Sequence, residues 1–370
     1  MARSAALGVS DVLAERLCSQ QLSGRPARSP EAVVERLLAV QGQDLRAARL
    51  AIRSRSRGLA ASDIDRALDG RRLLITWLNR GTLHLIGAAD YPWLHALTTP
   101  RLRTANARRL AQEGVDARAA ERGVRAVRQA LAADGPLGRT ALRERIARAR
   151  VPTAGQALVH LLILATLEGH TVRGPIVGGE HAYVLVEDWL GAGAVAERER
   201  TSVDRERALA ELARRYLRGH APAADRDLAQ WAGLPLRDAR AGLAGIAGEL
   251  RERADGLLEL AGRGSGSAAL PAPRLLGAFD PVLLGWSTGT ARGVAAGVVP
   301  GSREEILDGH RGLVTTNGLF RPVALAGGRA AGTWKLARAG IEIELWRRLA
   351  RAETDALERD GEDVVRYLGS

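Results

Sequence analysis

The chain has 370 residues, of which 46% are hydrophobic and 26% are charged, and its formal net charge is +12 at pH 7. This balance is typical of a globular protein with a sizeable core, and the surplus of positive charge favours a phosphate-bearing partner. A membrane-spanning protein is excluded, because no stretch approaches the roughly 20 apolar residues of a span. A single cysteine, Cys18, excludes an internal disulfide and is predicted to be a small core residue.

The positive charge is carried almost wholly by arginine, and Lys335 is the only lysine. The frequent Ala, Gly and Arg are typical of a GC-rich genome, so part of the surplus charge is expected to be solvated surface. The beginning of the chain has no hydrophobic run long enough for a signal peptide, which predicts a cytoplasmic protein.

The first third is predicted to be helical, ending in a hairpin. Ser10 and Ser29 are predicted to cap two helices, and the second helix carries apolar residues through Val40 and runs into Gln41-Gly42-Gln43. Two more helices are expected, from Leu45 to about Arg57 and after Ser62-Asp63. The β-rich runs 73–78 and 82–86, separated by Asn79-Arg80-Gly81, predict a hairpin, and helices followed by a hairpin predict a winged helix.

The same pattern is predicted twice more. Helices near 118–133, 139–150 and 153–168 precede strands at 171–173 and 182–186, with Gly174-Pro175 and Gly178-Gly179 between the strands; a third set covers 203–260. Residues 262–272 are the best linker candidate. Beyond them, strands are predicted at 274–276, 312–315, 322–326, 330–334 and 341–346, and a helix at 348–367.

These elements predict an α+β fold of three tandem winged-helix units and a small β-rich C-terminal domain. The predicted boundaries are 1–115, 116–200 and 201–262 for the winged-helix units and 273–370 for the C-terminal domain.

Several sequence blocks point to a known family. They are Val40-Gln41-Gly42-Gln43-Asp44, Arg80-Gly81-Thr82-Leu83-His84, Ala229-Gln230-Trp231, Phe279-Asp280-Pro281, Phe320-Arg321-Pro322-Val323 and Gly332-Thr333-Trp334. Together they resemble the AlkZ-like family of winged-helix DNA glycosylases, in its Gln-x-Gln subgroup. The blocks extend over nearly the whole chain in the order that the family has.

The resemblance implies a monofunctional enzyme that removes N7-alkylated purines from double-stranded DNA, with Gln41 and Gln43 as catalytic residues. Some members also unhook interstrand crosslinks made by genotoxic natural products, as antibiotic self-resistance. It implies winged-helix units arranged around a DNA-binding concavity, and a monomer without cofactor or metal. Two departures stand out: residues 287–291 after Trp286 lack the Arg-bearing continuation expected there, and Asp227-Leu228 replaces the usual Asp-Phe.

The chemistry of the two glutamines fits such a reaction. Residues two apart share a face only where the backbone is extended, so both amides reach one cleft if the helix ends at the motif. Neutral amides orient a water but cannot strongly deprotonate it, whereas ordinary glycoside hydrolysis uses two carboxylates. An N7-alkylated base is already cationic and leaves readily, so water placement can supply much of the remaining effect.

Other residues have two interpretations each. Asp44 either assists as a base or caps the following helix, and the cap is favoured. Arg80 either meets a phosphate at a wing tip or is a solvated turn residue. Arg46, Arg49 and Arg321 are candidate DNA contacts. His84 is predicted to be structural, Asp280 a turn former, and Trp77, Trp93, Trp231 and Trp286 core residues.

Two rival functions remain open. The chain carries no zinc-binding Cys/His cluster and no Gly-rich phosphate loop with Lys, and no lysine near the Gln motif for a Schiff-base step. A non-catalytic winged-helix regulator and a protein that sequesters a genotoxin are the alternatives. The Gln-Gly-Gln motif favours the enzyme, because a regulator has no reason to keep it.

Overall fold

The structure is a computed structural model that describes residues 10–262, 268–287, 299–315, 319–338 and 340–369. The chain forms two compact units, neither of them continuous in sequence. Unit 1 comprises Met1–Ala61, Ala213–Trp231 and Ile246–Ser370, and unit 2 comprises Ser62–Leu212 and Ala232–Gly245. Helices and strands are mixed, as an α+β fold requires; the number of winged-helix units and the four-domain division remain predictions.

The N-terminal helices begin where their caps predict. In α1 (Asp11–Ser19) the Ser10 hydroxyl accepts from the Leu13 N–H at 3.1 Å, and in α2 (Pro30–Leu37) the Ser29 hydroxyl accepts from the Ala32 N–H at 3.2 Å. Pro30 lies in the first turn of α2, where its missing N–H costs nothing. Cys18 is half-buried rather than a core residue.

The predicted extension of α2 through Val40 is wrong. The helix ends at Leu37, Leu38 adopts φ 66°, and Ala39–Gln41 form the short strand β1. The apolar periodicity could not reveal this change from helix to strand, because a run of three buried apolar residues fits the pattern of either element.

The next helices are α3 (Leu45–Arg53), which is shorter than predicted, and α4 (Ala61–Asp69). The predicted hairpin follows as β2 (Leu73–Leu78) and β3 (Thr82–Gly87), paired from Leu73↔Gly87 to Leu78↔Thr82. Asn79 and Gly81 at its tip have φ 54° and 83°, which the turn requires.

Four helices of unit 2 were not predicted. They are α5 (Tyr91–Thr98), α6 (Pro100–Gln112), α10 (Val186–Leu190) and α11 (Ala192–Val203). Only Asn106 and Leu110 of α6 are buried, which leaves almost no apolar period to detect.

The second predicted set is confirmed with changed boundaries. Its helices are α7 (Ala117–Asp134), α8 (Arg139–Arg148) and α9 (Ala157–Leu167), followed by the strands β4 (Thr171–Val177) and β5 (Glu180–Leu185). Gly174-Pro175 was expected between the strands; it lies inside β4, at a break in the register between Arg173 and Ile176. Within unit 2 the strands are paired in the order β3-β2-β4-β5.

The third set contains α12 (Arg205–His220), α13 (Asp225–Ala232) and α14 (Leu236–Ala244), then the small hairpin of β6 (Leu250–Glu252) and β7 (Leu258–Leu260). Its residues are divided between the two units.

The C-terminal sheet belongs to unit 1. Its order is β11-β10-β9-β8, from β8 (Arg274–Leu276), β9 (Val323–Ala326), β10 (Arg329–Ala337) and β11 (Gly340–Leu345). Short helices α15 (Pro281–Leu284) and α16 (Arg303–Leu307) precede β9, and α17 (Arg351–Leu368) ends the chain. Leu13 and Leu17 of α1 share a buried cluster with Leu276 and Leu325. The first helix and the C-terminal sheet therefore form one core.

The strand predicted at 312–315 is wrong. Arg311–Leu313 form a 3₁₀ helix, and Val314 makes only an isolated bridge to Phe320. The apolar run is therefore used to anchor a connection rather than to extend the sheet.

Candidate active site

The Gln-Gly-Gln motif lies on a sharply turned connection between two helices of unit 1. The chain leaves α2 through Leu38, which is fully buried and has a positive φ that non-glycine residues seldom adopt. Ala39 and Val40 are buried, Gln41 is half-buried, and Gln43 is exposed. The connection therefore carries the chain from the core to the surface within six residues of the end of α2.

An extended backbone is required if the two amides are to share a face. The first residue of the motif, Gln41, has such a backbone. Gln41 is the last residue of the extended strand β1, and the bend begins only at Gln43, after the buried Gly42. An extended backbone directs residues i and i+2 to one side, whereas a helix would separate them. The early end of α2 at Leu37 thus favours a shared face for the two amides.

Asp44 is the N-cap of α3. Its carboxylate accepts a hydrogen bond from the Ala47 N–H at 3.2 Å, and its own backbone is extended. A carboxylate at this position also interacts favourably with the positive end of the helix dipole. The cap interpretation of Asp44 is confirmed.

Arg46 and Arg49 lie on one side of α3, three residues apart. Arg46 is exposed and Arg49 is half-buried. The planar guanidinium of Arg46 is therefore accessible to solvent shortly after the motif. Arg53, one turn farther, is different: it is buried and ion-paired with Asp360 and Asp363 at 2.8 and 3.1 Å. It belongs to the framework that joins α3 to α17.

Arg80 and His84 lie in unit 2. Arg80 is exposed at the tip of the β2–β3 hairpin. His84 is 4% exposed, and its Nδ1 lies 2.9 Å from the Thr82 carbonyl oxygen. Burial, assisted by the nearby charge of Arg80, lowers the pKa of His84 to about 3. The ring is therefore neutral at physiological pH, which agrees with a structural role.

Arg321 and Asp280 have contrasting surroundings in unit 1. Arg321 is exposed just before β9, and its backbone N–H donates to the Leu313 carbonyl at 2.9 Å. Asp280 is fully buried, accepts two hydrogen bonds from Arg55 at 2.7 and 3.0 Å, and caps α15 through the Val282 N–H at 3.0 Å. The turn-forming role of Asp280 is confirmed, and the ion pair with Arg55 is an addition that its sequence context did not indicate.

A second buried network was missed by the sequence analysis. The carboxylate of Asp227 accepts from Arg16 Nη2 at 3.0 Å, from the Ala224 N–H at 3.0 Å, and from the Ser287 N–H and hydroxyl at 2.9 and 2.6 Å. Ser287 opens the atypical segment after Trp286, so its first residue is structural. Residues 288–291 of that segment lie outside the described residues.

Two of the four tryptophans are core residues, as predicted. Trp231 and Trp286 are 6% and 4% exposed, and Trp286 Nε1 donates to the His220 carbonyl at 2.8 Å. Trp77 and Trp93 are only half-buried. The prediction of core positions is therefore wrong for Trp77 and Trp93.

Two further observations concern the described part of the chain. It contains no group of three or more His, Cys, Asp or Glu side chains placed to hold a metal ion. Within the same residues, no helix combines the length and the apolar character needed to cross a bilayer.

Comparisons with known proteins identify a related family, a related sequence and a similar fold. A family model described as DNA glycosylase AlkZ-like matches residues 34–367. The interstrand DNA cross-link repair glycosylase of Streptomyces sahachiroi is 27% identical over an alignment of 381 residues, which covers 97% of this chain and 96% of that protein. The solved structure of Streptomyces sahachiroi DNA glycosylase AlkZ is similar with a TM-score of 0.72 and 24% identity, over 98% of each chain. This last likeness concerns the fold.

Proposed function

Because the chain belongs to the AlkZ-like DNA glycosylase family, we propose that it hydrolyses the N-glycosidic bond of N7-alkylated purines in double-stranded DNA. Gln41 and Gln43 position the attacking water. The observation that carries this proposal is the early end of α2, which gives Gln41 an extended backbone beside an exposed Gln43.

The reaction needs no strong base at this turn. Water attacks the anomeric carbon of the sugar, the bond from that carbon to the base nitrogen breaks, and the cationic base leaves as a neutral molecule with the electron pair. The water's proton passes to solvent. Each amide can accept a hydrogen bond from the water through its oxygen or donate through its NH₂ group, so the pair can fix the direction of attack.

The position of Asp44 supports a role for the amides rather than for a carboxylate. Its oxygen is used at the N-terminus of α3, where it accepts from Ala47. Two neutral groups are adequate for a base that already carries positive charge and inadequate for an undamaged base, which needs acid assistance to depart. Selectivity for cationic lesions follows from the residue types.

Four arginines are proposed to hold the DNA backbone. Arg46 and Arg49 follow the motif on α3, Arg80 is at a hairpin tip, and Arg321 precedes β9. The planar guanidinium can meet two phosphate oxygens at once, which positions the duplex without reading its sequence. The relative from Streptomyces sahachiroi is named for interstrand cross-link repair, and we extend the proposal to bulky N7 adducts, including crosslinks.

The enzyme is proposed to be monofunctional. A lyase step on the sugar through a lysine Schiff base would need an amine at the lesion. The only lysine of the chain, Lys335, lies on β10 and is ion-paired at 2.7 Å with Glu342 of β11. The expected product is therefore an intact abasic site.

The proposal is tested with a duplex carrying one N7-methylguanine and an otherwise identical undamaged duplex. The native protein is expected to release the methylated base and to leave an abasic site that alkali cleaves, with the undamaged duplex unchanged. Equal base release from both duplexes would contradict the selectivity for cationic lesions. Binding without base release would instead favour the non-catalytic alternatives.

A further inference from the structure

A polar cavity of about 230 Å³ lies between the segment that follows α3 and the last turns of α17, within unit 1. Three arginines line it, Arg53, Arg57 and Arg366, together with Ser56, Tyr367 and the carboxylate of Asp363. Liquid water occupies about 30 Å³ per molecule, so the space is large enough for a tetrahedral oxyanion and several waters.

Arg53 has one donor that the protein leaves unused. Its Nη atoms donate to Asp360 and Asp363 and to the Leu275 carbonyl, at distances from 2.7 to 3.1 Å. Its Nε–H is buried, and among the described residues no acceptor lies within reach. The side chain is 3% exposed. A buried charged donor without an acceptor is unfavourable and calls for an acceptor from outside the chain.

Arg57 supplies surplus positive charge at the mouth of the cavity. Its backbone N–H donates to the Ala27 carbonyl at 3.0 Å, which fixes the loop, while its side chain is exposed. No carboxylate within the described ranges forms an ion pair with it. The other two arginines are offset by Asp360 and Asp363.

Arg366 holds the two walls together. Its Nη1 donates to the Leu59 carbonyl at 3.2 Å, across from its ion pair with Asp363 on α17. The loop and the helix are therefore fixed relative to each other before any ligand arrives, and preorganisation of this kind lowers the entropic cost of binding.

We propose that this cavity binds a phosphate oxyanion, with Arg57 as the principal charged ligand and the unused Arg53 Nε–H as a second donor. The oxyanion comes either from inorganic phosphate or from a DNA backbone. In the second case the inference rests on the proposed function. The nine residues of α3 at 1.5 Å each place the cavity about 13 Å along that helix from the Gln motif, or about four steps of a DNA strand.

The first experiment uses the full chain without DNA. Thermal unfolding is followed as inorganic phosphate is titrated against chloride at constant ionic strength. The thermal stability of the native protein is expected to rise with phosphate concentration until the site is saturated, because only the folded state has the site. The side chain of Arg57 is exposed. In Arg57→Gln, the phosphate concentration that gives half of the stability gain is expected to rise about tenfold or more, which corresponds to the loss of one charge-assisted contact.

The matched control is Arg351→Gln. This exposed arginine lies on the same helix α17, 15 residues before Arg366 and so about 22 Å from the cavity. It is expected to keep the full phosphate response. Native protein that responds equally to phosphate and chloride, or equal responses from Arg57→Gln and Arg351→Gln, would overturn the site.

The second experiment distinguishes the two sources. Affinity for an undamaged duplex is measured at several salt concentrations for the same three proteins. Weaker binding and a smaller salt dependence for Arg57→Gln alone identify a DNA phosphate as the occupant, whereas unchanged DNA binding with a lost phosphate response identifies free phosphate. Because neither measurement involves base release, the site can stand if the glycosylase proposal fails, and the reverse also holds.

Discussion

The carboxylate of Asp44 accepts a hydrogen bond from the backbone N–H of Ala47 at 3.2 Å, one residue after the Gln-Gly-Gln motif. This contact begins α3 at Leu45 and fixes the end of the turn that carries both glutamines. It also gives the only acidic group in residues 38–46 a structural role, which is the basis for assigning the chemistry to neutral amides.

Replacing Asp44 by Asn is expected to preserve both stability and base release, because Asn caps helices about as well as Asp. Asp44→Ala should cost about 1 kcal/mol of unfolding free energy through the lost cap. Urea unfolding and single-turnover base release measure the two effects. If Asp44 were the general base, Asp44→Asn would slow the reaction by about 10²–10⁴-fold while remaining folded.

Arg46→Gln is expected to weaken DNA binding at every sequence to the same degree. Arg46 is exposed on α3, so the substitution should leave the fold intact. For one lost phosphate contact, the slope of log affinity against log salt should fall by about 0.9. Arg348→Gln, an exposed arginine between β11 and α17, serves as the control. A slope identical to that of the native protein would remove Arg46 from the proposed DNA contacts.

Gly233→Ala is expected to disturb the tip of the β2–β3 hairpin. Gly233 has φ 67°, and an added Cβ would lie 2.5 Å from the Asn79 carbonyl oxygen, next to Arg80. For a residue with a side chain, the left-handed backbone alone lowers the free energy of unfolding by about 1–2 kcal/mol. The clash should add about 1–3 kcal/mol and lower DNA affinity as the hairpin shifts.

Gly179→Ala isolates the backbone part of that effect. Gly179 has φ 84° at the β4–β5 turn, and nothing lies within 4 Å of an added Cβ. Chemical unfolding of the two variants therefore separates strain from clash. Equal losses of stability would mean that the close approach of Gly233 to Asn79 is unimportant.

Three buried histidines are expected to make stability fall in mild acid. Burial lowers the pKa of His84, His95 and His220 to about 3 each. The unfolded chain takes up protons near the ordinary value of 6.5, and the folded protein does not. Stability is therefore complete above about pH 6.5 and is lost as the pH falls toward 3, by up to about 1.4 kcal/mol per pH unit for each histidine.

Nuclear magnetic resonance checks this directly. The ring signals of His84, assigned by their absence in His84→Gln, should not shift between pH 7.5 and 5. A titration midpoint near pH 6.5 would show that the ring is hydrated. It would contradict the purely structural role of His84 and would favour a role as an acid.

The sequence predicted well those elements whose signals are local. The β2–β3 hairpin follows from two β-rich runs around Asn79-Arg80-Gly81, and the caps at Ser10 and Ser29 fix two helix starts. Each of these depends on residues within a few positions of one another, so the interactions that stabilise them are visible in the sequence.

Elements that depend on distant residues were not predictable. Leu38 ends the helix with a positive φ, and Leu carries no intrinsic preference for that conformation that the sequence could show. Arg16 and Asp227 are 211 residues apart, and Arg55 and Asp280 are 225 apart. At the candidate site, the family resemblance pointed to Gln41 and Gln43, while the extended backbone at Gln41 appeared only in the structure.

The most direct measurement is single-turnover release of N7-methylguanine from duplex DNA by the native protein and by a Gln41→Ala, Gln43→Ala double variant. Both are compared with Gln21→Ala, a glutamine in the connection after α1 of the same unit. Misplacing a positioned reactant costs about 10²-fold or more, so the double variant should lose at least that much rate while its DNA affinity and unfolding midpoint stay near native. A double variant that releases the base at the native rate would contradict the assignment of catalysis to the two amides.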